Sequence, residues 1–94
     1  MSSIYEKCIA IRNENKVGTK KYQYENQILL KLMEIAFQND SNFDHLPKVF
    51  YLYHVKLPAD KLYLLFKKLG IDIDIRLIDK TNFSGFIFEI TITS

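Results

Sequence analysis

Apolar and polar residues change rhythm three times along this chain. Near the start, Ile4, Cys8 and Ile11 recur at helical spacing, and Ser3 with Glu6 three positions later has the form of a capping box. A short first helix is expected there, with a strand over residues 5–12 as the competing reading. Residues 13–19 are polar and read as a connector, with Gly18 suited to a helix C-terminus and Thr19 to the next N-cap. Residues 20–39 then contain no Gly or Pro, and Ile28, Leu32, Ile35 and Ala36 share one face of a long helix. Leu29, Leu30, Met33 and Phe37 widen that face to roughly 220° of arc, more than one packing contact uses. Such a helix is either sandwiched between two elements or set against another chain.

The following run, Val49–Val55, is rich in Val, Phe and Tyr and is expected to be a strand. The alternative starts a helix at Asp44, with Pro47 in its first turn and Leu46, Val49, Phe50 and Tyr53 buried. Pro58 at the first helical position, Asp60 in the first turn, a core face of Leu62, Leu65, Phe66 and Leu69, and Gly70 as terminator predict another helix. The end of the chain alternates with period two: Ile71, Ile73, Ile75 and Leu77 on one face, Asp72, Asp74 and Arg76 on the other. Residues 80–85 form a turn, Asp79 reads as a turn residue, and Phe86, Phe88, Ile90 and Ile92 complete an antiparallel hairpin. Two registers keep the apolar sets together. One pairs Leu77 with Phe86 and sets Asp74 opposite Glu89; the other pairs Leu77 with Phe88 and sets Arg76 opposite Glu89. Opposite charges across a ladder contribute roughly 0.2–1 kcal/mol, which favours the second.

Together these elements predict a single small α+β domain over residues 1–94, with two or three helices on one face of a small antiparallel sheet that ends in a C-terminal β-hairpin. With 94 residues there is room for one hydrophobic core. Thirteen Lys and Arg against eleven Asp and Glu leave too small an excess for charge alone to announce nucleic acid. The lone Cys8 has no partner for an intramolecular disulfide, no secretory leader is legible at Met1 to Glu6, and no apolar stretch reaches the roughly 20 residues of a membrane helix. A cytoplasmic protein with no membrane partner is expected.

The chemistry that the residues offer is thin. Asp72, Asp74 and Glu89 could cluster on one strand face as oxygen ligands, but Arg76 is at hand to neutralise them. His45 and His54 with Cys8 match no zinc spacing, and His54 reads as a hydrogen-bonded neighbour of the core. Cys8 reads as a small buried hydrophobe. Three glycines leave no phosphate-cradling loop or nucleophile elbow. The expectation is therefore a non-enzymatic protein with no cofactor and no metal.

Two surfaces remain. The excess apolar face of the long helix and nearby tyrosines nominate Tyr22, Tyr24, Leu30, Met33 and Phe37 as an interface for another protein or a second copy. The polar side of the helix after Pro58 nominates Lys61, Leu64, Lys67 and Lys68, with Lys80 on the hairpin, as nucleic-acid contacts. If residues 44–55 are helical, the element order over residues 22–93 resembles a winged helix-turn-helix domain. That resemblance implies a DNA-binding regulator whose recognition helix spans 59–69 and whose wing tip is Lys80, Thr81 and Asn82. The preferred reading is a small inhibitor or adaptor that acts by protein–protein contact, of the sort viruses and mobile elements encode, and that self-associates. Nucleic acid is the alternative partner.

Overall fold

The computed structural model describes residues 3–16, 18, 20–39, 46–81 and 85–93. The architecture is α+β: α1 (Ile4–Asn15), a 3-10 turn (Lys20–Tyr22), α2 (Gln23–Asn39), β1 (Val49–Val55), α3 (Ala59–Lys68), β2 (Ile73–Thr81) and β3 (Gly85–Ile92). The three strands form one antiparallel sheet in the order β1-β3-β2. The chain divides into two compact units, Met1–Pro47 and Lys48–Ser94.

The first unit is a helical hairpin. Ser3 caps α1, its hydroxyl accepting the Glu6 N–H at 3.1 Å. That bond satisfies one of the orphan donors of the first turn. The helix runs through Asn15 and ends at Lys16, whose φ of 56° is left-handed and whose N–H donates to the Asn13 carbonyl. Gly18 was the expected stop. Asn15 instead keeps the helix going, because its side-chain amide donates to Asn26 Oδ1 at 3.1 Å and joins α1 to α2 with both residues buried. Thr19, the expected N-cap of the long helix, lies outside the described residues. Lys20 and Lys21 wind as a 3-10 turn before α2 opens at Gln23, consistent with two cations being unwelcome at the positive end of a helix dipole. Cys8 and Ile11 on α1, and Ile28, Leu29, Leu32, Met33 and Ala36 on α2, are buried.

In the second unit, Val49–Val55 is a strand. The helical alternative over that run is overturned, and with it the element order of a winged helix. β-branched and aromatic residues prevail there because the strand finds a ladder, with Phe50 opposite Ile90 and Leu52 opposite Phe88. Between Leu52 and Val55 the register slips, and His54 sits in the bulge at φ 58°. The extra residue turns Val55 inward and leaves His54 exposed, so His54 is not a neighbour of the core. Pro58 stands one position before α3 rather than inside it: at ψ 162° it is the N-cap, and its carbonyl accepts the Leu62 N–H. α3 ends in a Schellman motif. Gly70 takes φ 75°, its N–H reaches the Lys67 carbonyl at 3.0 Å and the Ile71 N–H reaches Phe66 at 3.1 Å. Leu62, Leu65, Phe66 and Leu69 are at most 1% exposed, and the Phe66 ring lies 6.3 Å from that of Phe50 on β1.

The hairpin adopts the charge-complementary register, Leu77 opposite Phe88 and Arg76 opposite Glu89. A second bulge follows at Ile78, between Leu77 and Asp79. It carries β2 on through Asp79, which faces Ile87 and is therefore a strand residue, not a turn residue. Its carboxylate still makes a turn-like local bond, accepting the Lys80 N–H at 2.7 Å. Gly85 opens β3 at φ 96°, where a Cβ would collide with the Val55 carbonyl of β1.

Candidate interaction surfaces

Cys8 and Glu89, the groups nearest to offering chemistry, are committed to structure. Cys8 is fully buried, and burial pushes its thiol from an ordinary 9.0 up to about 11, with Arg12 partly offsetting the effect. A thiol so held is a poor nucleophile near neutrality. Glu89 lies at the centre of a row that crosses all three strands on the sheet face away from α3. Its Oε2 accepts the Tyr51 hydroxyl at 3.1 Å and meets the Arg76 guanidinium at 3.6 Å. The bond to Glu89 raises the Tyr51 phenol above its ordinary value, and the same two partners occupy the carboxylate that an Asp72, Asp74 and Glu89 cluster would need. Among the described residues, no three of His, Cys, Asp and Glu are grouped so as to hold a metal ion. His45 lies outside those residues.

The nominated α2 surface is partly assembled. Leu30, Met33 and Phe37 follow one another at i, i+3 and i+7, and with Tyr5 of α1, Glu34 and Gln38 they line an open cavity of about 260 Å³. Leu30 is 43% and Phe37 59% exposed, whereas Met33, at 8%, forms the floor. Tyr22 and Tyr24 are not part of it. Tyr22 is in the 3-10 turn beneath the Lys21 ammonium, 5.2 Å from its ring, and Tyr24 is exposed six residues before Leu30, on a different stripe of the helix. Tyr5 was absent from the sequence reading. Its signal was available, because it lies three residues before Cys8 and thus on the margin of the face that α1 turns to α2.

On α3, Lys61, Leu64, Lys67 and Lys68 are all exposed, but Lys67 is folded over the Tyr63 ring at 5.6 Å. Lys80 is on β2, its ammonium 5.9 Å from the Phe86 ring opposite. The nominated cations thus divide between two elements, and two of them lie over aromatic faces of their own unit. Sequence reasoning also missed a groove of about 520 Å³ between α3 and β2, with Ala59, Tyr63 and Leu64 on one wall and Ile73 and Ile75 on the other. No periodicity argument could find it, since it depends on β2 lying at the sheet edge.

The chain matches no protein-family model, no curated protein and no solved structure. Among the described residues, no helix is long and apolar enough to cross a membrane.

Proposed function

We propose that this chain is a non-enzymatic protein that acts by protein–protein contact, as an inhibitor or adaptor. The observation that carries the reading is the α2 stripe: Leu30 and Phe37 hold large apolar surfaces in solvent on either side of a cavity floored by Met33. With about half of each side chain still exposed, covering the two contributes roughly 1–1.5 kcal/mol each, enough to help anchor a contact. The rim carries Glu34, already 3.9 Å from the Lys31 ammonium, and Gln38, so the matching partner is a protein segment that presents apolar side chains edged by polar ones. The buried lone Cys8 suits a reducing compartment, and on that ground we assign the protein to the cytoplasm.

The test is affinity capture from source cells with wild type beside a Leu30→Glu, Phe37→Glu variant that keeps the wild-type melting curve. A defined partner held by wild type and lost from the variant supports the reading. Equal recovery of every captured protein by both overturns it.

A further inference from the structure

Among the described residues β2 is an edge strand, and the ladder fixes which of its backbone groups face outward. The Thr93 N–H donates to the Asp72 carbonyl at 2.9 Å, so Asp72 and Thr93 form a hydrogen-bonded pair. In an antiparallel ladder such pairs alternate with pairs whose N–H and C=O point away from each other. Counting along β2, Asp74 and Arg76 turn their backbone groups to β3, while Ile73, Ile75 and Leu77 turn theirs out from the open edge. An edge of that kind is a template for another strand.

The sequence at this edge is complementary to itself. Outward-facing residues must pair with outward-facing residues, which restricts the twofold registers between two copies of β2 to a few. Centred on Asp74 or Arg76, a register sets that charge against its own copy; centred on Ile73, it sets Asp72 against Asp74; centred on Leu77, it runs into the bulge at Ile78. Centred on Ile75, it sets Ile75 opposite its copy, Ile73 opposite Leu77 and Asp74 opposite Arg76, the last two pairings each occurring twice. We propose that the chain forms a twofold dimer through antiparallel pairing of β2 with β2 of a second copy, in the register centred on Ile75.

Surroundings on both faces fit this occupant. Leu77 is 52% and Leu64 58% exposed. In the dimer, Leu77 of the second copy lies beside Ile73 and enters the groove between α3 and β2, where it meets Tyr63 and Leu64. On the opposite face, the row of Tyr51, Glu89 and Arg76 gains Asp74 of the second copy at its open end. The bulge at Ile78 ends the pairing and keeps the edge from templating an open-ended stack. This inference rests on the protein-contact reading and names a second copy as one partner, at a surface separate from the α2 stripe.

The experiment is sedimentation over a concentration series with two charge variants. Wild type should sediment at twice the monomer mass. Asp74→Arg and Arg76→Asp should each weaken the dimer roughly tenfold or more by creating two like-charge pairs, and an equimolar mixture of the two should restore it. Because the mixture reports on complementation, a general folding defect cannot imitate it. As a second readout, Ile75→Cys should oxidise to a disulfide-linked dimer, since hydrogen-bonded pairs hold Cα atoms about 5.5 Å apart, and Arg76→Cys should not. A monomer at every concentration, a dimer indifferent to both charge changes, or linkage at position 76 as ready as at 75 would overturn the proposal. None of those results bears on capture through Leu30 and Phe37, so the two readings fail separately.

Discussion

Cys8 was legible as a core residue because its spacing from Ile4 and Ile11 gave it a helix face, and at 0% exposure it behaves as one. Its raised pKa has a consequence whose sign can be worked through. Folding favours the neutral thiol, so its contribution is fully present below pH 9, where both states hold the proton, and is lost as pH rises through about 11. That amounts to about 2–3 kcal/mol, and the stability difference between wild type and Cys8→Ala, followed by urea unfolding, should narrow above pH 9. Gly85 makes a sharper case. A φ of 96° costs a non-glycine residue about 1–3 kcal/mol before its Cβ meets the Val55 carbonyl. Gly18, at φ 104°, shares the backbone cost but its Cβ would meet nothing within 4 Å, so Gly85→Ala should lower the melting temperature more than Gly18→Ala. Neither the crowding at Gly85 nor the exposure of His54 could be read in advance, since both depend on a bulge in β1, and an inserted residue reverses every inside and outside assignment beyond it.

Elements were most legible where the signal was local. Ser3 and Glu6 announced the start of α1, Gly70 announced the end of α3, and Arg76 with Glu89 chose the hairpin register. Where the outcome depended on a tertiary partner, local rules misplaced the boundary. Asn15 looks like a loop residue and is helical because it reaches Asn26, eleven positions away. The buried amide pair predicts non-additive energetics. Asn15→Leu and Asn26→Leu should therefore show a coupling of roughly 0.5–3 kcal/mol in a denaturant double-mutant cycle, instead of adding as independent changes do. The strand row makes a spectroscopic prediction. Because Tyr51 donates to Glu89, the tyrosine absorbance titration should lose a component above pH 10 in Tyr51→Phe, and Glu89→Gln should move that component down.

At the scale of the whole molecule, fold class followed from periodicity, because the change from a period of 3.6 to a period of 2 at Gly70 is a property of the chain. Surfaces followed less well. The apolar excess of α2 nominated Leu30, Met33 and Phe37, and these three line one cavity because one helix carries them all. Tyr22 and Tyr24 joined them only by residue type. A winged helix required a helix where β1 stands, so the lysines of α3 are left without the frame that would aim them at a groove of DNA. Protein contact through the α2 stripe is tested most directly by site-specific photo-crosslinking. With a photoreactive residue at Leu30, a discrete protein adduct should form in source cells, and none should form with the same residue at Tyr24, an exposed position on a different stripe of the helix and outside the cavity lining. Adducts at neither position, or the same adducts at both, would contradict contact through the stripe.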